Sequence, residues 1–283
     1  MPASRLARLL VYALLVLFAT VMLIPFAYLV AGALKSRHDF SSSLFLPPGD
    51  GWLGIGWGRL TAANFRRLLF DLPVPRAMLN SFFIASVHSV AATLFCAMGG
   101  YALAKLRFRG RALVTGVVLA ALIIPGPLLL APGFQLLYQL GLLDTYAGLL
   151  LPGLAPAFGV FLFRQTMLRS VPDELIEAAR IDGAGEGRIF FELVLPLVRP
   201  MIGAFLLISF LGAWNNFIGP QIILQSPELQ PLSVALNNLR GVYGTDYGLI
   251  MAGTLVSIAP VMCLFLLLQA EFISGLTAGA VKG

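Results

Sequence analysis

The sequence predicts an all-α, polytopic membrane protein with six transmembrane helices, on three observations. Of its 283 residues, 59% are hydrophobic and only 11% charged, against roughly 25% charged in soluble domains. Six stretches carry no Asp, Glu, Lys or Arg: 9–34, 77–104, 112–143, 145–163, 200–227 and 247–270. The basic residues stand mainly between these runs. With a mean hydropathy of +0.90, lipid is the solvent that fits.

Each run is long enough to cross. About 20 helical residues span a hydrocarbon core roughly 30 Å thick, and the shortest run, 145–163, has 19. The first run contains Ala31-Gly32-Ala33, which resembles a signal cleavage site. A signal core is only about 7–15 residues long, so 9–34 reads as an uncleaved helix. The third run, 112–143, has room for a span and an outer interfacial segment. Pro25, Pro125, Pro127, Pro152, Pro156 and Pro260 fall inside runs; kinks around a pathway and ordinary packing kinks both fit. Cys96 and Cys263 each lie in an apolar run and read as buried, inert thiols, because a metal site needs more ligands in better spacing. Lone His88, with no carboxylate in its run, reads as a packing residue, as do Gly99 and Gly100.

Six spans put both termini on one side. Arg5, Arg8, Lys105, Arg107, Arg109, Arg111, Arg164, Arg169, Arg180, Arg188, Arg199 and Lys282 then share a face, 12 of the 19 basic residues, and the positive-inside rule makes that face, with both termini, cytoplasmic. Lys35, Arg37, Arg59, Arg66, Arg67 and Arg76 lie in the long first outer loop and Arg240 in the last. Gly54-Ile55-Gly56-Trp57-Gly58 in that loop lacks the strand and helix of a dinucleotide site. Basic residues placed between spans do not make the polar face of a nucleic-acid binder.

The longest polar insertion on the cytoplasmic side is 164–199, with Asp173, Glu174, Glu177, Asp182, Glu186 and Glu192. Its pattern is helix, turn, helix. Ser170 and Asp173 fit a capping box with Pro172 in the first turn. Residues 174–181 favour helix, Gly183 and Gly185 offer a stop, and 186–195 forms a second short helix ended by Pro196. Glu177-Ala178-Ala179 gives the first helix a low-profile surface with one charge, suited to a partner's groove. A solvated amphipathic helix lying on the membrane fits the spacing equally well.

Glu177-Ala178-Ala179-Arg180-Ile181-Asp182-Gly183-Ala184, followed by Leu195-Pro196, resembles the EAA signature of ABC importer permeases, and more narrowly the maltose-type carbohydrate permease family. Asn80-Ser81, Tyr101-Ala102-Leu103-Ala104-Lys105, Leu143-Asp144-Thr145, Trp214-Asn215-Asn216-Phe217 and a tail from Gly275 to Gly283 fit the same pattern. The resemblance implies the type I importer permease fold over 1–283 as a single transmembrane domain, with 164–199 as its coupling loop and 275–283 as its tail. It implies a bacterial inner-membrane subunit of an ATP-driven, binding-protein-dependent importer of sugars or sugar-like solutes. A second homologous permease, two ATPase subunits that carry ATP and Mg, and an extracytoplasmic solute-binding protein would complete it. Glu177, Ala178, Ala179, Asp182 and Gly183 would form the ATPase coupling element, and Ala278, Gly279 and Lys282 of the tail would also touch the ATPases. Gln269-Ala270-Glu271-Phe272 departs from the family by placing an acid where a basic residue is usual.

The chain has no G-x-x-x-x-G-K-[ST] phosphate loop, so ATP hydrolysis is expected on separate chains and this one is not read as an enzyme. Neither a metal triad nor a nucleophile–base pair is evident, and no cofactor or metal is expected here. Trp214, Asn215 and Asn216 are candidate solute contacts, through stacking and hydrogen bonds; their amides could equally join helices. The rival function is a secondary transporter, which would place an ionisable group in mid-membrane for coupling; no run has an Asp, Glu, Lys or Arg away from its ends, and lone His88 has no carboxylate in its run.

Overall fold

The computed structural model describes residues 5–241 and 244–277. In chain order the helices are α1 (Arg5–Ala33), α2 (Arg37–Ser42), α3 (Ala63–Arg66), α4 (Val74–Lys105), α5 (Arg111–Ala121), α6 (Leu130–Gln139), α7 (Tyr146–Leu150), α8 (Ala157–Ser170), α9 (Asp173–Ile181), α10 (Glu186–Arg188), α11 (Leu195–Leu197), α12 (Arg199–Trp214), α13 (Ile218–Ile223), α14 (Leu232–Asn238) and α15 (Tyr247–Thr277). Short 3-10 and π turns join several of them. Among the described residues the only strands are the two-residue antiparallel pair β1 (Arg240–Gly241) and β2 (Gly244–Thr245).

Three stretches are single helices long and apolar enough to cross a membrane: Arg8–Ala33, Val74–Lys105 and Tyr247–Leu267. Three more pass only as bent pairs: Arg111–Ala121 with Gly126–Gln139 (103°), Tyr146–Gly153 with Ala157–Ser170 (42°), and Glu186–Leu197 with Arg199–Trp214 (84°). Counting each pair as one span gives six. Proline marks every break. Pro125 and Pro127 flank the first, Pro156 is the N-cap of α8, and Pro200 opens α12. Proline lacks the N–H that would continue the ladder and its ring crowds the preceding turn.

Contacts divide the chain into two compact units, Met1–Pro75 with Leu236–Ala259 and Arg76–Ala235 with Pro260–Gly283. In the first, α1 ends in a polar knot. Asn64 is buried, and its amide donates to Ala33 O (2.8 Å) and Lys35 O (2.9 Å), covering carbonyls that a helix end leaves open. Lys35, 1% exposed, donates to Ser43 O (2.8 Å) and Leu44 O (3.2 Å), with its ammonium 5.2 Å from the Phe40 ring centre. Asp39 pairs with Arg59. Phe40 stacks on Tyr247, and Arg67 pairs with Asp246 at 2.8 Å.

The second unit holds a core of α4, α8, α12 and the segment between α8 and α12, including Ala97, Tyr101, Phe163, Met167, Ile176, Phe190 and Phe205. Gly99 and Gly100 are the close contact expected of them. A Cβ on Gly99 would sit 3.3 Å from Val160, and one on Gly100 would meet Phe163 Cβ at 2.6 Å and the Arg164 backbone nitrogen at 2.8 Å. The family-like residues outside the loop also acquire physical reasons. Asp144, at φ +57°, accepts from Gln225 N (2.9 Å), Ser226 N (2.8 Å) and Ser226 Oγ. Asn80 donates to Glu228 O (2.8 Å) and Gln230 O (3.0 Å), and Ser81 Oγ accepts from Leu232 N (2.7 Å). Together they pin the segment between α13 and α14.

Two expectations fail. Cys96 is buried as expected, but Cys263 is exposed, because the stretch of α15 around it turns Met262, Leu266 and Leu267 outward too. The capping box does not form. Ser170 is the last residue of α8, Pro172 is the N-cap of α9 without a side-chain bond, and the Asp173 carboxylate is taken by Lys105.

Candidate functional site

The segment between α8 and α12 folds as its sequence implies. After Ser170 the chain is extended through Val171 and Pro172, and α9 then runs over Asp173–Ile181 with two acids in its first turn and Arg180 in its last, each favoured there by the helix dipole. Gly183 stops it at φ +82°; Gly183 N bonds Arg180 O (3.0 Å) and Ala184 N bonds Ala179 O (2.9 Å), closing the last turn. Gly185 is the N-cap of α10. The expected second helix forms as one helical stretch over Glu186–Leu197, with a π-helical segment, Ile189–Val194, joining α10 to α11. The stretch from α10 to α11 bends 84° from α12, and the two are long and apolar enough to cross a membrane only when taken together.

Spacing divides α9 into two faces. Asp173, Ile176 and Arg180 share one, and Glu174, Glu177, Ala178 and Ile181 the other. Ile176 enters the core with Tyr101 and Phe163. Glu177, Ala178, Asp182 and Gly183 are exposed, whereas Ala179 is half-buried and packs on the core. The two alanines, read as one surface from the sequence, are thus divided between outside and inside. The residue that sequence reasoning missed is Ile181, the most exposed large apolar side chain of the segment at 86%. Its signal was present: five positions from Ile176, it cannot share that residue's face.

The inner face is held by charge. Lys105 Nζ donates to Asp173 Oδ1 at 2.6 Å, and Lys105, Arg107 and Arg111 together hold that carboxyl below the usual range, the Lys105 hydrogen bond foremost. Glu186 accepts from Arg180 Nε (2.8 Å) and Tyr101 Oη (2.6 Å). The Arg180 bond, then the Tyr101 bond, lower its pKa, and the same pair raises that of Arg180. A cavity of about 800 Å³ lies beside these groups, with Lys105, Arg107, Arg111, Asp173, Glu177 and Arg180 in its walls.

The candidate solute residues separate. Trp214 is buried and stacked on Phe210 (5.7 Å between centres, 16°), so its ring is covered. Asn215 donates to Leu211 O within its own helix. Asn216, at the break after α12, lines a cavity of about 210 Å³ with His88, Gly153 and Pro220. The tail residues Ala278, Gly279 and Lys282 lie outside the described residues, and the Glu271 side chain is likewise not described. Among the described residues no three His, Cys, Asp or Glu side chains cluster to hold a metal.

The model of the family described as "Binding-protein-dependent transport system inner membrane component" matches residues 89–271. The arabinooligosaccharides transport system permease protein AraQ of Halalkalibacterium halodurans is 42% identical over 204 residues, covering 72% of this chain and 73% of that protein. The lactose transport system permease protein LacG of Rhizobium radiobacter is 31% identical over 98% of this chain and 97% of its own. In fold, the chain is similar to one from the crystal structure of a bacterial ABC transporter involved in import of the acidic polysaccharide alginate (TM-score 0.81, 24% identity, 95% of this chain and 99% of that one). With α9, its exposed acid–alanine face and the core behind it placed by the fold, this chain belongs to the family of binding-protein-dependent transport system inner membrane components.

Proposed function

We propose that the chain is one of two membrane-spanning subunits of a bacterial ATP-driven importer of sugars or sugar-like solutes, with six spans and both termini in the cytoplasm. Two ATPase subunits carry ATP and Mg, a second permease completes the pathway, and an extracytoplasmic binding protein delivers the solute. The observation that carries this reading is the exposed α9 face of Glu174, Glu177, Ala178 and Ile181: one large apolar side chain beside a small one, with acids at its edge, on a helix backed by the core. Such a face seats in a partner's groove. Relatives named for arabinooligosaccharide and lactose transport support the solute class. The absence of an Asp, Glu, Lys or Arg from the middle of the apolar runs supports this reading over a secondary transporter.

Within this reading α9 is the handle. ATPase closure displaces it, the spans rearrange, and the pathway opens outward to the binding protein. Ala278, Gly279 and Lys282 add a second contact to the ATPases, and Asn216 is the best placed of the three candidate residues to meet solute. The test is uptake by vesicles holding the assembled importer, with radiolabelled arabinotriose and lactose as probes. Uptake of either that requires both internal ATP and binding protein is expected; uptake that persists without ATP would overturn the proposal.

A further inference from the structure

Tyr101 and Lys105 lie one turn apart at the end of α4, and each bonds an acid on a different side of α9. Lys105 reaches Asp173, the first residue of the helix, at 2.6 Å. Tyr101 reaches Glu186, beyond the Gly183 turn, at 2.6 Å, and Glu186 in turn grips Arg180 in the last turn of α9 at 2.8 Å. We infer that these two contacts form a clasp through which α4 is made to follow α9, so that Tyr101 and Lys105 are positioning residues for coupling between the ATPase and the pathway. This rests on the coupling role proposed for α9.

Burial gives the clasp its direction. Both donors belong to α4 and are covered: the Lys105 side chain is 4% exposed, and Tyr101 is buried against Phe190. The acceptors belong to the loop and reach solvent, Asp173 being 75% exposed. An exposed carboxylate that loses its partner is taken up by water. A covered ammonium or phenol that loses its partner has no such recourse, and leaving it unpaired is costly. Drawing α9 away from α4 would therefore strand two polar groups on α4 at once, and the lower-energy response is for α4 to move with it. Ile176, buried between the two contacts in sequence, holds the helix down but provides no polar penalty against sliding. Two attachment points, one at each end of α9, also resist rotation about either one.

The experiment uses the importer assembled with its ATPase subunits and a spin label at Leu79→Cys, an exposed position on α4, with MgATP plus vanadate as the probe. In the otherwise unaltered protein, trapping is expected to change the label's accessibility. In Tyr101→Phe with Lys105→Met, which keeps ring and stem in place, the ATPase subunits should still co-purify and hydrolyse ATP while the label's response falls about tenfold. Asp173→Asn breaks one contact from the exposed side and should lower the response even if the double variant is lost from the membrane. Lys105→Asp with Asp173→Lys should restore much of it. A full response in both Asp173→Asn and the double variant would overturn the clasp. Failure of the unaltered chain to bind the ATPases would overturn the coupling role itself, and the clasp with it.

Discussion

Ile176 and Ile181 lie five residues apart on the same short helix and face opposite ways, the first 2% exposed and the second 86%. That reversal separates the anchoring side of α9 from the side proposed to dock the ATPases. Ile176→Ala is expected to cost about 2–5 kcal/mol of stability through transfer and cavity terms. Ile181→Ala should leave unfolding unchanged and weaken ATPase association about tenfold, the equivalent of about 1.4 kcal/mol. Chemical unfolding in mixed micelles and titration with the ATPase subunits measure the two effects. Loss of stability without loss of association in Ile181→Ala would remove it from the docking face.

Glu177→Arg should abolish ATP-driven uptake while the protein inserts normally. The side chain is exposed on the face proposed to dock the ATPase, so a reversed charge would meet the partner's groove without disturbing the core. Vesicle uptake of labelled arabinotriose and lactose, with membrane quantity measured in parallel, tests it; normal uptake would exclude Glu177 from coupling.

The apolar runs located the helices well because lipid imposes length and polarity on any span. They could not show breaks. Residues 112–143 contain no charge, yet α5 and the stretch that follows Pro125 bend by 103°, since charge counting is blind to where a proline interrupts hydrogen bonds. The glycines of the loop were legible because a left-handed turn at Gly183 has few other solutions. The fate of Ser170 was not: local capping competes with tertiary charge, and Lys105, 68 positions away from Asp173, decided it. Nor could spacing alone part Ala178 from Ala179 without knowing which face Ile176 buries.

Acid should weaken the α4–α9 contact. The Asp173 carboxyl titrates below its ordinary value of 3.8 because of Lys105. A lowered folded-state pKa means the contribution is present above the unfolded value and is lost as pH falls through the folded one. The stability difference between the unaltered protein and Asp173→Asn should thus be constant from neutral pH down to about 5 and shrink below about 4. A difference that grows on acidification would contradict the pairing.

Gly100→Val should destabilise the second unit by about 1–3 kcal/mol through overpacking, because its Cβ would press on the Arg164 backbone nitrogen at 2.8 Å as well as on Phe163, and backbone cannot rotate aside. Gly116→Ala on α5 is the control: nothing lies within 4 Å of its added carbon, and alanine is the better helix former. Equal effects of the two substitutions would show that helix propensity, not the α4–α8 crossing, governs Gly100.

The first unit offers a separate test of how a charge near a membrane end is tolerated. In the proposed orientation, Lys35 and Arg37 follow the first span on the side where the positive-inside rule disfavours them. Lys35 does not act as a free surface charge: its ammonium is spent on two carbonyls, and burial pulls its pKa below the ordinary 10.5. Asn64 completes the knot by capping Ala33 and Lys35. Asn64→Ala would leave two buried carbonyls without that donor and is expected to cost about 1–3 kcal/mol. Lys35→Met removes the charge but keeps the stem over Phe40, and should cost less while leaving the orientation of the first span intact. Unfolding in micelles gives the order of the two, and labelling of a cysteine at exposed His38 from either side of the membrane gives the orientation. A cost for Lys35→Met exceeding that for Asn64→Ala, or an inverted first span, would show that the lysine's charge, rather than the asparagine cap, holds this end of α1 in place.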